Sequence, residues 1–245
     1  MKAAVMIPTY NEAGNLTSLV DRILSLENSP ELKQSGVGRI LMVIVDDNSP
    51  DGTGAKADML SAQHPGSIHV IHRTERGRGS AGIAGFKYIL TQDIDYILEM
   101  DADLSHDPAD IPRLIAVAKD YDIAIGSRRV RGGSMGSRNL YRMCVTTGAS
   151  LYARLMLGWD IKEWHSGYKC YRKKVLGALD FDKFLSQGYS IGMETVYRAV
   201  KKGYTVKEIP IIFRERTQGR SKFSVKEILV YFKMVWKIRF QVKNV

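Results

Sequence analysis

A chain of 245 residues, 44% of them hydrophobic and 25% charged, is long enough to bury the core of one large domain or two small ones. Its two cysteines lie far apart without C-x-x-C spacing, which argues against a disulfide framework or a zinc site and fits a reducing cytoplasm. The net charge of +10 favours an anionic partner, and without a helix-turn-helix, zinc-finger or RNP-like pattern nucleic acid is the weaker candidate.

The first half of the chain alternates continuous apolar strands with helical patterns. Strands are predicted at 3–7, 40–45, 68–72, 96–100 and 122–126. One helix is predicted to begin near residue 12, a second to end near residue 63, a third to span 81–90 and a fourth to follow Pro108. Thr9 or Asn11 is the expected cap of the first helix, and 27–38 reads as a polar connection. This alternation predicts a parallel, doubly wound α/β sheet with helices on both faces.

After Gly126 the pattern changes. A basic, glycine-rich loop at 127–138 precedes a helix at 140–157, a short strand at 168–172, a helix at 191–202, a strand at 206–213 and a final helix at 224–240. Pro210 places the last strand at an edge of the sheet. Without repeats or linkers, residues 1–245 are predicted to form a single domain.

Polar clusters follow several predicted strands and should meet in one crevice at the edge where parallel strands end. Asp101 and Asp103 alternate with apolar neighbours, so both carboxylates point to one side of an extended chain. Two adjacent carboxylates repel unless a cation lies between them, and their oxygens suit Mg²⁺ or Mn²⁺. The alternative is a turn that caps the next helix.

Two further stretches each allow a ligand or a structural interpretation. Asp46 and Asp47 follow the second strand, where a carboxylate can accept from a ribose hydroxyl or a base, yet the segment 46–52 is also a strong turn signal. The glycines at 77–82 open a helix, as phosphate-binding loops do, or allow close helix–sheet packing. The spacing matches neither a Walker A motif nor a dinucleotide fingerprint.

Taken together, the segments 8–12 (Pro-Thr-Tyr-Asn-Glu), 45–53, 100–108 and 126–128 resemble those of GT-A glycosyltransferases of family 2. The segments 166–169, 188–194 and 216–222 make the chain resemble the polyprenol (dolichol) phosphate mannose synthase branch, in a short form without transmembrane helices. The resemblance extends from Pro8 to Lys222. It implies a Rossmann-like, mostly parallel sheet followed by an amphipathic C-terminal helix.

The resemblance also implies roles for residues at matching positions. The nucleotide sugar would be held by Pro8, Tyr10, Glu12, Asp46, Asp47 and Asp101. The metal, Mg²⁺ or Mn²⁺, would be held by Asp101, Asp103 and Ser105. The catalytic set would be Asp103, Arg128, Arg142, Thr146 and Arg216, and the acceptor would be bound by Ser166 and Lys222.

Several positions depart from the pattern of the family. Ser105 stands where glutamine is common, Thr146 where serine is common, and Arg78 where relatives usually carry an apolar residue. Glu163 and His165 flank Trp164 where an Asp-x-Thr pattern is more usual, and this segment is expected to form a wall of the acceptor site.

The implied reaction is an inverting transfer of mannose from GDP-mannose to a polyprenyl phosphate. A phosphate monoester with a second pKa of about 6 is largely dianionic at neutral pH, so it needs arginines and no general base. A transfer of glucose from UDP-glucose, or to an alcohol acceptor, is the alternative; an alcohol would need a base, for which Glu194 is the candidate. A non-catalytic nucleotide-binding or anionic-lipid-binding protein is the weakest interpretation.

The expected organisation is a nucleotide-sugar-binding half (1–127), an acceptor half (128–222) and an amphipathic helix (223–245). That helix either packs on the domain or lies at an anionic membrane surface, with its aromatic side chains at the headgroup level. No stretch approaches the roughly 18 apolar residues of a membrane span, and the N-terminal apolar run is too short for a signal peptide. The expected location is therefore cytoplasmic, peripheral at the inner membrane face.

Overall fold

The computed structural model describes residues 1–136, 140–186, 188, 190–213 and 225–242. Its strands are β1 (Lys2–Thr9), β2 (Arg39–Asp46), β3 (Ile68–His72), β4 (Tyr96–Glu99), β5 (Ile123–Ser127), β6 (Lys169–Arg172) and β7 (Val206–Pro210). Its α-helices are α1 (Leu16–Ser25), α2 (Pro30–Gln34), α3 (Thr53–Gln63), α4 (Arg78–Leu90), α5 (Ile111–Asp120), α6 (Leu140–Leu157), α7 (Lys173–Gly177), α8 (Ile191–Lys201) and α9 (Val225–Gln241).

The strands pair into one sheet in the order β3-β2-β1-β4-β6-β5-β7. Neighbouring strands are parallel, except that β6 runs antiparallel to both β4 and β5. The predicted α/β fold with a mostly parallel sheet is confirmed, and β6 is the exception to the parallel arrangement. Pro210 ends the edge strand β7, where its missing N–H costs no ladder hydrogen bond, so the predicted edge position is also confirmed.

The sheet separates two apolar cores. Along β1, Ala3, Val5 and Ile7 pack on one side with α1, α2, α3 and α5, whereas Ala4 and Met6 pack on the other with α4, α6, α7, α8 and α9. Because successive side chains of a strand point to opposite faces, a fully apolar strand requires helices on both sides of the sheet. Both cores combine residues from before and after Gly126.

Two of the differences from the sequence prediction lie in the segment between β1 and β2. Helix α1 begins at Leu16 and not near Glu12, because the backbone of Asn11 is left-handed, with φ of +61°, and turns the chain before the helix starts. The polar connection at 27–38 contains the short helix α2, in which Ser29 accepts a hydrogen bond from the amide of Leu32 and Pro30 takes the first turn. A serine followed by proline is a helix-start signal that the prediction overlooked.

The last helix, α9, packs against α6. Val235, Ile238 and Val242 are buried, and the Tyr231 hydroxyl donates to the carbonyl of Ala149 at 3.3 Å. The packing interpretation is thus correct for one side of this helix. Of the helices that the structure describes, none combines the length and apolar character needed to cross a bilayer.

Candidate active site at the carboxyl edge of the sheet

Strands β1, β2, β4 and β5 end at the same edge of the sheet, called here the carboxyl edge. The loops after β1, β2 and β4 each pass through a non-glycine residue with left-handed backbone, namely Asn11, Asn48 and Leu104, with φ of +61°, +54° and +60°. Such conformations cost of order 1–3 kcal/mol each and accumulate at functional sites. These three bends support the carboxyl edge as the functional region.

The loop after β4 holds its two aspartates in different environments. The Asp103 side chain is buried and accepts a hydrogen bond from the Ser105 amide at 3.0 Å, whereas the side chain of Asp101 is 24% exposed. The amide of Asp101 donates to Nδ1 of the buried His106, whose ring stacks on Tyr168 with centroids 4.9 Å apart. Burial lowers the pKa of His106 to about 4, although both carboxylates oppose that shift. His106 thus holds this loop from inside as a neutral imidazole.

Arg78, the first residue of α4, reaches across the carboxyl edge to two carboxylates. Its Nε lies 3.1 Å from Oδ1 of Asp101, its Nη2 bonds to the same oxygen, and its Nη1 lies 3.3 Å from Oε1 of Glu99. Glu99 is buried at the end of β4 and also faces the buried Lys169, with 3.9 Å between Oε2 and Nζ. Burial lowers the pKa of Lys169, and Glu99 opposes that shift. Two cations thus balance two carboxylates beside the predicted metal site.

The donor atoms of this loop fit a hard divalent cation. Asp101 and Asp103 supply carboxylate oxygens, and the buried hydroxyl of Ser105 makes no hydrogen bond to any described residue. Among the described residues, however, no group of three His, Cys, Asp or Glu side chains forms a ready-made cation site. Mg²⁺ is usually bound by one or two carboxylates together with substrate phosphates, so a site with so few protein ligands depends on its substrate.

The aspartates at the end of β2, Asp46 and Asp47, are held by protein partners. The buried Asp46 accepts from the hydroxyl of Thr9 at 3.2 Å and from the hydroxyl of Ser49 at 2.5 Å, which ties the loop to β1 and agrees with the turn interpretation for this residue. Asp47 accepts from Nη1 of Arg73 at 2.5 Å and from the amide of Gly77 at 2.7 Å. Asp47 therefore connects the end of β2 to the first turn of α4. A pocket of about 440 Å³ lies beside Asp46, between the loop after β2, the start of α3 and the end of β3.

The residues after β1 lie beside the same loop. Pro8 is half-buried at the end of β1, in register with Val45 of β2. The guanidinium of Arg76 lies 4.5 Å from the centre of the Tyr10 ring, a cation–π contact. Glu12 accepts from the side-chain amide of Asn15 at 2.8 Å. The three predicted nucleoside-binding positions of this segment thus share the carboxyl edge with Asp46 and Asp47.

The basic segment after β5 is anchored by a buried carboxylate. Arg128 donates from Nε and Nη2 to the two oxygens of Glu163, at 2.9 Å each, and Nε of Arg129 lies 3.6 Å from Oε2 of the same residue. Glu163 is fully buried. Burial alone would raise the pKa of Glu163, but the charges of Arg128 and Arg129 and the hydrogen bonds from Arg128 lower it below its usual value. Glu163 therefore supports and orients Arg128, and the acceptor-site wall expected of this segment stays a prediction.

Other predicted site residues are only partly located. Arg129 donates to the carbonyl of Thr146 at 2.8 Å, which links α6 to the basic segment. The hydroxyl of Ser166 is buried and is bonded to the backbone of Tyr168, so it shapes the turn before β6. Arg216 and Lys222 lie outside the described residues, and Arg142 lies in α6 where its side chain is outside the description.

Glu194, the candidate base for an alcohol acceptor, has a structural role. It is fully buried in α8 and accepts from the amides of Leu185 and Ser186 and from Nε of Arg198, at 3.0, 2.8 and 2.7 Å. A fully buried carboxylate held by these three donors cannot reach a substrate hydroxyl. The alcohol-acceptor alternative therefore loses the base that it needs.

Sequence reasoning gave no role to Arg73 and treated Arg78 only as a departure. Both arginines lie beside the glycine-rich loop and pair with carboxylates that follow other strands. The available signal was charge: a buried strand ending in Glu99 and followed by Asp101 requires nearby cations, and Arg78 interrupts an otherwise small-residue segment.

The chain matches the family model of glycosyl transferase family 2 over residues 4–179. It is 40% identical over 225 residues to the undecaprenyl-phosphate mannosyltransferase of Micrococcus luteus, covering 91% of this chain and 88% of that protein. It is 39% identical over 242 residues to the polyprenol monophosphomannose synthase of Mycolicibacterium smegmatis, covering 97% of this chain and 88% of that one.

Among solved structures, the fold is similar to glucosyl-3-phosphoglycerate synthase from Mycobacterium tuberculosis in complex with Mn²⁺, UDP-glucose and phosphoglyceric acid. The TM-score is 0.68 at 16% identity, and the match covers 99% of this chain and 81% of that one. At this identity the likeness shows a shared fold.

Proposed function

The chain belongs to glycosyl transferase family 2, and from that premise we propose that it transfers mannose from GDP-mannose to a polyprenyl phosphate with inversion at the sugar. The observation that carries this proposal is that two relatives about 40% identical over nearly the whole chain are named for a mannosyl transfer to a polyprenyl phosphate. The enzyme is a glycosyltransferase with the GT-A fold.

The site has the chemistry that a phosphate acceptor requires. A polyprenyl phosphate is itself the nucleophile, since its second pKa of about 6 leaves it dianionic at neutral pH. The carboxyl edge accordingly presents arginines, Arg128 held by Glu163 among them, and the buried Glu194 is unable to serve as a base. Thr146, Ser166, Arg142, Arg216 and Lys222 complete the proposed acceptor and phosphate set.

For the donor, we propose that Pro8, Tyr10, Glu12, Asp46 and Asp47 surround the nucleoside. Asp46 acts by fixing the loop through Thr9 and Ser49, and Asp47 faces the first turn of α4. The backbone amides at the start of α4 and the positive end of its helix dipole would stabilise an anionic diphosphate.

For the cofactor, Asp101, Asp103 and Ser105 would hold Mg²⁺ or Mn²⁺ beside the diphosphate. The cation, when bound, neutralises charge that develops on the leaving nucleoside diphosphate. Within the protein, His106 keeps the Asp101 amide fixed, and the Ser105 amide fixes the carboxylate of Asp103. These two hydrogen bonds preorganise the loop for its ligand.

A polyprenyl phosphate is a membrane lipid, so the proposed acceptor requires contact with a membrane. Six large apolar side chains on α6, on α9 and just after α6 are 43–73% exposed: Leu151, Leu155, Trp159, Val230, Trp236 and Phe240. We name these six residues the apolar face. Lys233 and Arg239 are exposed on the same helix α9, and each basic residue near an anionic bilayer contributes about 1 kcal/mol. We propose that the apolar face lies at the cytoplasmic surface of the membrane.

The reaction is tested by supplying radiolabelled GDP-mannose, and separately UDP-glucose, with polyprenyl phosphate and Mn²⁺. We expect label from GDP-mannose in the organic extract. Label from UDP-glucose alone would retain the mechanism and overturn the donor. Absence of lipid-borne label from either nucleotide sugar would overturn the proposed transfer.

Membrane contact predicts a second result. Trp236→Glu should weaken binding to vesicles of phosphatidylcholine and phosphatidylglycerol by about tenfold or more, because burying one large apolar side chain contributes about 1.5–3 kcal/mol. Co-sedimentation with the vesicles measures the change. Met59→Glu is the matched control, since Met59 is also 49% exposed but lies on α3 at the opposite side of the sheet. Equal binding by both variants would contradict the proposed surface.

A further inference from the structure

Arg78 is held between two carboxylates at the proposed cation site. Its guanidinium bonds to Asp101 through two nitrogens and to Glu99 through the third, and its side chain is only 19% exposed. Asp101 is one of the two proposed carboxylate ligands of the metal. The protein therefore places a positive charge of its own on an oxygen that the cation would use.

The surroundings keep Arg78 in this position. A Cβ added at Gly167 would lie 2.8 Å from Nη2 of Arg78 and 2.9 Å from Oδ2 of Asp101, so the backbone of the turn before β6 lies directly against the ion pair. Glu99 is 2% exposed and shares its charge between Arg78 and Lys169. A buried carboxylate requires such compensation, and Arg78 gains little by turning away into water.

A divalent cation at Asp101 and Asp103 must therefore approach a guanidinium already bound to Asp101. A cationic group within about 4–6 Å lowers a carboxyl pKa by about 1–3 units. The same positive charge opposes the binding of a metal ion to that carboxylate. A nucleoside diphosphate changes this balance, because its oxygens give both the cation and the guanidinium additional acceptors.

We propose that Arg78 makes cation binding dependent on the donor: the guanidinium competes with the divalent cation for Asp101 in the nucleotide-free protein, and the diphosphate relieves that competition. The inference rests on the proposed function, since it requires a nucleoside diphosphate as ligand. Arg78 is thus a positioning residue, which keeps Asp101 neutralised until donor and metal arrive together.

The test is a titration of the whole protein with Mn²⁺, followed by electron paramagnetic resonance of the free ion, with and without GDP or UDP. In the wild type we expect weak Mn²⁺ binding that either nucleotide tightens at least about tenfold. In Arg78→Leu we expect Mn²⁺ alone to bind about tenfold more tightly than in the wild type, with a nucleotide effect of about twofold. This readout does not require turnover.

Two further variants separate competition from other effects of the substitution. Lys87→Leu removes a positive charge from the same helix, where Lys87 pairs with Asp182 at the surface, and should bind Mn²⁺ as the wild type does. Arg78→Lys retains the charge with fewer hydrogen bonds and should tighten Mn²⁺ binding by about two- to fivefold; it decides the matter if Arg78→Leu does not fold.

Equal Mn²⁺ affinities for the wild type and the Arg78 variants would overturn the inference, as would tightening of the same size in Lys87→Leu. Its failure is distinguishable from failure of the proposed function. Absence of lipid labelling with the Mn²⁺–nucleotide coupling intact overturns the transfer alone, whereas labelling without the coupling overturns the role of Arg78 alone.

Discussion

Replacing Asp103 with asparagine is expected to lower the rate of sugar transfer by roughly 10²–10³-fold, the cost of removing one preorganised electrostatic group from a transition state. The side chain is buried, and its Oδ1 accepts the Ser105 amide, a bond that the asparagine oxygen can also accept. The turn should therefore persist while the negative charge is lost. Initial rates of lipid labelling at saturating Mn²⁺ measure the effect.

Asp120→Asn provides the matched control. Asp120 is exposed at the end of α5, on the same connection between β4 and β5, and its substitution makes the same change in net charge. We expect it to label lipid at the wild-type rate. If Asp103→Asn retained more than about a tenth of wild-type activity with an unchanged fold, Asp103 would have no direct role in transfer.

Replacing Glu163 with glutamine is expected to reduce the free energy of unfolding by about 3 kcal/mol, within the range for removing one partner of a buried ion pair. Glu163 is fully buried, and Arg128 and Arg129 have side chains only 12% and 14% exposed. Without the carboxylate, two guanidinium groups would remain close together in a poorly solvated place. Urea denaturation at pH 7 measures the difference.

The pH dependence of that difference has a definite sign. The pKa of Glu163 in the folded protein lies below its usual value of 4.5, so its charge stabilises the fold at pH values above that figure. As the pH falls through the folded pKa, both states are protonated and the contribution is lost. The stability gap between wild type and Glu163→Gln should therefore narrow below pH 4.5.

Glu31→Gln serves as the control for this prediction. Glu31 is exposed in the first turn of α2, and surface substitutions of this kind usually change stability by less than about 0.5 kcal/mol. A Glu163→Gln variant as stable as Glu31→Gln would show that Arg128 and Arg129 are solvated well enough to need no buried partner.

The parts of the fold that sequence predicts well depend on local patterns. Continuous apolar runs identify β1 and β2 because both faces of a central strand are buried, and the 18-residue helix α6 has the predicted bounds. The antiparallel β6 is different. Its pairing with β4 joins Leu98 to Cys170, residues far apart in the chain, and no local pattern encodes the direction of such a pairing.

The candidate site shows the same division. The spacing of Asp101 and Asp103 is local and sufficed to place a carboxylate pair after β4. The partners of the carboxylates at the site are not local: Arg78 starts the helix that precedes β4, and Glu163 follows Arg128 only after the whole of α6. Each buried carboxylate requires a cationic partner, but only the folded topology determines which arginine that partner is.

The position of β6 also has a consequence for synthesis on the ribosome. Because β6 lies between β4 and β5 but is made after α6, the open side of β4 has no strand to pair with until Arg172 has emerged. Such long-range pairing slows folding, and an unpaired edge of a buried strand invites association with other chains. A nascent chain that ends at Ser127 should therefore remain bound to chaperones, and release should coincide with the arrival of β6.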